Sequence, residues 1–171
     1  LSVEDGRFRL VTFSEPRGLR RPIDSFFVSL AHTQGHRAAC VVLSGTGADG
    51  TAGIRTIKEY GGVCAVQSPE EARYDGMPFS AISTKLVDFT LNAAQIVPRI
   101  QNFFEGSDKK VFPSEDDSAH VMDELTAIIQ IQLGHDFSGY KRSTLFRRLF
   151  RRLQVLEYDD PKKYLEFIRN D

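Results

Sequence analysis

Ala39-Cys-Val-Val-Leu-Ser-Gly-Thr-Gly-Ala-Asp-Gly-Thr51 decides the fold. Residues Ala38 to Leu43 form a short apolar run suited to a buried parallel strand. Gly45 to Gly50 is a glycine turn, and a helix opens behind it at Thr51. That helix is amphipathic through Ile54, Ile57 and Lys58, and Gly61-Gly62 ends it. Moving downstream, Val63 to Val66 and Val87 to Leu91 read as strands and Ile96 to Phe104 as a closing helix. Moving upstream, Pro22 to Ala31 carries Ile23, Phe26, Phe27 and Leu30 at i, i+3, i+4, i+7, which is a helix period. Arg7 to Phe13 alternates as a strand does. Strand and helix in turn, joined by short connections, predict an α/β unit with a parallel sheet over residues 1–104. That length supplies half of a doubly wound sheet.

A second unit follows. Glu105-Gly-Ser-Asp-Lys-Lys-Val-Phe-Pro-Ser-Glu-Asp-Asp-Ser118 is polar, holds Gly and Pro, and has little to bury, so residues 105–118 read as a linker. Residues 119–171 then read as a small all-α domain of three helices. Asp123 to Gln132 repeats Leu125, Ile128 and Ile129. Arg142 to Leu156 is longer and amphipathic. Pro161 to Arg169 begins with proline in its first turn, behind Asp159-Asp160.

Composition excludes several classes of function. The chain has 171 residues, with 22 Lys+Arg against 23 Asp+Glu and a net charge of -1, so bulk polyelectrolyte binding is not its main business. No apolar run suits a membrane span, and the charged, alternating start is no signal peptide. Two cysteines do not make a disulfide scaffold. Cys40 and Cys64 lie in strand-like runs and read as buried reduced thiols. A cytoplasmic setting follows. The opening at Leu1, without Met and as if in mid-strand, reads as part of a larger protein.

The glycine turn admits three readings. It spells G-x-G-x-x-G between a strand and a helix, which suits a dinucleotide pyrophosphate. Asp49 speaks against that, because a carboxylate at the helix N-terminus competes with phosphate for the same amides. The next strand tip, Gln67-Ser68, also lacks the acid that takes ribose hydroxyls. In the second reading Asp49 only caps the helix that follows it. In the third it is a catalytic carboxylate at the carboxyl end of a strand, where it can hold a histidine in the right tautomer. The last two stay open on the residues alone.

Tyr140 to Leu153 holds six basic residues and no acidic one. At about 100° per residue, Leu145, Phe146, Leu149, Phe150, Leu153 and Leu156 share one arc. Lys141, Arg147, Arg148, Arg151 and Arg152 take the rest. The stripe reads as a solvated face or as a reader of an anionic partner. Residues 118–171 balance 9 basic against 8 acidic groups, and no aromatic residue lies within the stripe, which argues against nucleic acid.

Four segments together carry a family resemblance: Leu43-Ser-Gly-Thr-Gly-Ala-Asp-Gly50, Gln67-Ser-Pro-Glu-Glu-Ala72, Tyr74-Asp-Gly-Met-Pro-Phe-Ser-Ala-Ile82 and Val87-Asp-Phe89, with Arg21-Pro-Ile-Asp24 upstream. In this order and spacing they resemble the C-terminal half of the catalytic domain of chemotaxis receptor methylesterases, the CheB type. The resemblance implies an α/β hydrolase with a Ser-His-Asp triad that cleaves glutamate methyl esters on receptors. It implies Asp49 as the triad acid, the Thr46 backbone amide as an oxyanion donor where the family often has Met, and Met77, close to the active cleft, as a substrate-binding residue. Gly76 and Pro78 also suit a plain turn there. The family's Ser and His belong to an N-terminal half. His32, His36, His120 and His135 match no triad position, so this chain alone is expected to be inactive.

Leu133 to Leu153 with Tyr164-Leu-Glu-Phe-Ile168 resembles the N-terminal helical domain of chemotaxis receptor methyltransferases, the CheR type. That resemblance implies Lys141 and Arg148 as contacts for the acidic helices of a receptor. Gln154 departs from it, because the family often has a basic residue there. It implies S-adenosylmethionine only for a cofactor domain beyond Asp171, no cofactor within this chain, and no metal. The two resemblances together imply a fused methylesterase–methyltransferase, with a non-catalytic receptor-docking adaptor as the alternative. Half a sheet also leaves an open edge, so self-association is expected.

Overall fold

The computed structural model describes residues 1–109, 119–137 and 139–170. The chain divides into two compact units, Leu1–Phe104 and Glu105–Asp171.

The first unit opens with a hairpin, β1 (Ser2–Glu4) and β2 (Arg7–Arg9). Asp5 and Gly6 make its two-residue turn with φ of 50° and 73°, the backbone that an Asp-Gly turn favours. Pairing runs from Glu4↔Arg7 to Ser2↔Arg9. The strand expected over Arg7 to Phe13 therefore stops at Arg9, at the last rung β1 offers, and Leu10 is 93% exposed. Helix α1 (Pro22–Gln34) holds the hairpin. The Val3 N–H donates to Ser29 Oγ at 3.0 Å, and Thr33 Oγ1 donates to the Val3 carbonyl at 2.9 Å.

A short 3-10 turn (Gly35–Arg37) leads into β3 (Ala39–Val42), α2 (Thr51–Glu59), β4 (Val63–Gln67), α3 (Gly76–Ile82), β5 (Phe89–Leu91) and α4 (Ala93–Lys109). The strands form one parallel sheet, β3-β4-β5, with Cys40 opposite Cys64 and Val66 opposite Thr90. Side chains alternate across it. Cys40, Val42, Cys64 and Val66 meet Phe27, Ala31, Ile54, Ile57 and Ala81 from α1, α2 and α3. Ala65 and Phe89 face the other way, where Phe103 of α4 meets Phe89 edge-on at 6.1 Å. Every residue of β4 is buried, as a central strand requires. At the amino ends of the strands Lys58 Nζ lies 2.7 Å from both Asp88 oxygens, and Asp88 also accepts the Cys64 N–H.

Helices α1 and α2 cross closely because residue 53 is glycine. A Cβ there would stand 2.6 Å from Phe27 Cβ and 3.1 Å from the Asp24 backbone. This crossing sets the N-termini of both helices side by side.

Two expectations about local structure change. Helix α4 runs on through Lys109, so the stretch expected as a linker begins helical; its remainder, 110–118, lies outside the described residues. Residues 105–109 hold no proline to stop the helix. Asp75 to Pro78, where Gly76 and Pro78 suit a plain turn, is already helical from Gly76.

The second unit holds α5 (Ala119–Leu133), α6 (Arg142–Val155) and α7 (Pro161–Asn170). Met122, Leu149, Phe150 and Leu153 form its core. Asp160 Oδ1 accepts the Lys162 N–H at 2.9 Å and caps α7. The arc read on α6 is corrected at two positions. Leu156 is exposed. Arg151 is buried and donates Nη1 to Gln154 Oε1 at 3.0 Å, so it leaves the basic stripe.

Candidate active site at the carboxyl ends of the strands

The Gly45–Gly50 turn leaves β3 at its carboxyl end, and the chain from Tyr74 to Ser80 grips it. The Gly45 N–H donates to the Tyr74 carbonyl and the Met77 N–H to the Gly45 carbonyl, each at 2.9 Å. The Tyr74 N–H donates to Ser44 Oγ, and Ser80 Oγ donates to the Gly47 carbonyl at 3.1 Å. Glycine at 45 allows this close approach: a Cβ there would stand 2.4 Å from Met77 Sδ. Met77 itself is half-buried and packs on the core below, so its thioether braces the turn.

A second chain of bonds ties the strand ends together. Gln67 Oε1 accepts the Ser44 N–H at 2.8 Å, and Gln67 Nε2 donates to Glu71 Oε2 at 2.9 Å. Glu71 Oε2 also accepts the Ala93 N–H at the start of α4. That amide first, and the Gln67 amide second, hold the Glu71 carboxyl below its ordinary value.

Asp49 closes the turn. Its Oδ2 accepts the Ile23 N–H at 3.0 Å, and its Oδ1 accepts the Asp24 N–H at 3.0 Å and the Gly50 N–H at 2.9 Å. Asp49 therefore caps a helix, but the helix is α1 and not the one that follows it. Asp24 returns the service: its Oδ1 accepts the Gly53 N–H in the first turn of α2 at 2.7 Å. Asp24 Oδ2 is buried without a hydrogen bond, and Arg21 Nη1 stands 3.7 Å from it. Two carboxylates thus occupy the positive ends of two helices.

This arrangement defines what Asp49 can do. An ionised carboxylate offers about four acceptor positions, and three are filled by amides that also fix its orientation. The remaining position, on Oδ2, carries no hydrogen bond among the described residues. Among the described residues no histidine bonds Asp49. His32 lies in the last turn of α1, stacked on Tyr60 at 4.9 Å, roughly 12 Å along the helix axis from Asp24. Thr46 is exposed, and its N–H donates to no group among the described residues. Asp49 and Thr46 are thus brought into one turn, with Met77 beneath it.

In the second unit, Lys141 stands at the N-cap of α6 and Arg148 one face along it, both exposed. Sequence reasoning missed Asp24 and the Gln67–Glu71–Ala93 link. A signal for Asp24 was present. Arg21 precedes α1 and Gly50 precedes α2, and neither offers an oxygen to cap its own helix.

Comparison with known proteins gives two matches along the chain. Residues 1–100 match the CheB methylesterase family, and residues 121–171 match the all-alpha domain of CheR methyltransferase. A 104.1 kDa protein encoded in the hypE 3′ region of Rhodobacter capsulatus is 34% identical over 98% of this chain and 20% of its own length. A protein-glutamate methylesterase/protein-glutamine glutaminase of Moorella thermoacetica is 35% identical over 50% of this chain and 20% of its own length. The CheB methylesterase catalytic domain of Thermotoga maritima is 31% identical over 51% of this chain and 47% of that domain, with a TM-score of 0.48. The chain spans about a fifth of the length of these two curated relatives.

Proposed function

This chain belongs to the CheB methylesterase family and carries a CheR-type all-alpha domain behind it, and on that premise we propose that it serves a bifunctional protein that removes and adds methyl groups on receptor glutamates. The observation that carries the hydrolytic half is the Asp49 carboxylate, fixed by three amides with one acceptor position left. In this reading a histidine from polypeptide outside these 171 residues fills that position. It takes the proton of a serine, also supplied from outside. The serine oxygen attacks the glutamyl methyl ester, and the Thr46 N–H helps hold the oxyanion. Methanol leaves with the histidine's proton, and water then releases the glutamate. Met77 supports the turn at the substrate cleft.

Lys141 and Arg148 read the acidic receptor helices, whose unmodified glutamates are anionic. S-adenosylmethionine belongs to the methyl-transfer half and is assigned to no side chain described here. Receptor cytoplasmic helices as substrate put the work in the cytoplasm. Among the described residues no helix is long and apolar enough to cross a membrane. The non-catalytic adaptor is the competing reading, and it shares the docking face but predicts no methanol release.

The deciding experiment measures methanol release from methylated receptor by the polypeptide that joins this chain to the segment supplying serine and histidine. Asp49→Ala should lower turnover by about 10³–10⁴-fold, and the 171-residue chain alone should release none. Unchanged turnover in Asp49→Ala, or release by the isolated chain, overturns the reading.

A further inference from the structure

Helices α5, α6 and α7 leave a crevice of about 160 Å³ between them. Met122, Leu125, Ile129 and Leu149 are among its walls. Arg148 and Arg152 also line it, and both are exposed, so they stand on its solvent side. The acidic groups nearest in sequence on α5 are already engaged: Asp123 takes Arg142, and Glu124 takes Arg169. Arg151 turns inward to Gln154. Arg148 and Arg152 have neither a hydrogen bond nor an ion pair among the described residues.

The geometry points to an anchor site for one apolar side chain of an acidic helix, with carboxylates of that helix on Arg148 and Arg152. The inference rests on the reading of α6 as the docking helix and adds to it what fills the crevice. The charge argument is local. Arg148 and Arg152, without a partner among the described residues, leave α6 four residues apart, so their backbone positions stand about 6 Å apart along its axis. Carboxylates one turn apart on a partner helix match that spacing, and an apolar residue on the same face then lies over the hollow. A lone anion would leave the apolar walls wet. A lone apolar ligand would leave two cations without a counter-charge. An acidic amphipathic helix satisfies both, and the crevice has room for one aliphatic side chain.

The test uses the 171-residue chain and two fluorescein-labelled synthetic helical peptides. Each carries two Glu at i, i+4; one has Leu between them and the other has Ser. The Leu peptide should bind about tenfold or more tightly, the worth of burying one aliphatic side chain. Arg148→Gln with Arg152→Gln should weaken both peptides and flatten the salt dependence, and these exposed positions leave folding intact. Thr126→Leu, which fills the crevice, should weaken the Leu peptide and spare the Ser peptide. Equal binding of the two peptides overturns the anchor and leaves α6 as a purely electrostatic reader. Binding of neither overturns the docking reading as well.

Discussion

Asp24 and Asp49 cap each other's helices: the Asp49 carboxylate accepts the Ile23 and Asp24 amides of α1, and the Asp24 carboxylate accepts the Gly53 amide of α2. The candidate catalytic acid is therefore also a joint between two helices. A cap contributes about 1–2 kcal/mol. Asp49→Ala should raise hydrogen exchange at the Ile23 and Asp24 amides by about tenfold, and Asp24→Ala should do the same at Gly53. The double variant should differ from the sum of the singles by more than about 0.5 kcal/mol, because the two caps share one crossing. Exchange at Ile23 and Asp24 unaffected by Asp49→Ala would refute the cap.

The Lys58–Asp88 pair locks the amino ends of the strands. Their side chains are only 18% and 6% exposed, so each charge depends on the other. Lys58→Met leaves Asp88 buried against the Cys64 amide and should cost about 3–5 kcal/mol in urea denaturation. Lys58→Met with Asp88→Asn should recover much of that, since no charge is then left behind and the Asn side-chain oxygen can still accept the Cys64 amide. A double variant as weak as the single would show that the pair does more than cancel its own desolvation.

Much of this architecture is legible in the sequence, for a physical reason. Val63 to Val66 is apolar because β4 is buried on both faces, whereas the run Ala38 to Leu43 buries Ala38, Cys40 and Val42 and leaves Ala39 and Val41 half-covered and Leu43 exposed. The helix period at Ile23, Phe26, Phe27 and Leu30 follows from one buried stripe. Asp49 also stands out, as a charge in a glycine turn. What it bonds to is not legible, because Ile23 and Asp24 lie 25 or more residues away and donate backbone N–H groups that any residue but proline has. Arg151 escapes the helical wheel for a similar reason: its burial depends on Gln154 and on what α6 packs against, not on spacing.

Glu71 gives an acid-sensitive link. Its carboxyl is held below 4.5 by the Ala93 amide and the Gln67 side chain. A depressed carboxyl contributes stability above its unfolded value, and that contribution fades as pH falls through the lower folded value. Glu71→Gln should keep an acceptor for Ala93 but remove this slope. The stability difference between wild type and Glu71→Gln should shrink below about pH 4.5. A constant difference across pH 3 to 7 would mean the carboxylate carries no linkage.

Cys40 and Cys64 face each other across β3 and β4 and are free thiols. The hydrogen bond to Cys64, then burial, push the Cys40 thiol well up, so it is not a thiolate at neutral pH. A thiol-specific aromatic disulfide reagent should label neither residue in the folded chain and both after urea. Rapid labelling of the native chain would contradict the buried pair.

Strand β3 has β4 on one side and, among the described residues, no strand on the other. Its Ala39 and Val41 are only half-covered, and Leu10 and Leu19 are exposed in the same unit. A parallel edge with apolar side chains beside it is a template for another strand, and a second copy carries the same edge. Sedimentation at tens of micromolar should find species heavier than the 19.3 kDa chain. Val41→Lys puts a charge on that edge without entering the core formed by Cys40 and Val42 and should shift the boundary toward monomer. A wild-type chain that sediments as a clean monomer, or a Val41→Lys chain that associates as before, would show that this edge recruits no second copy.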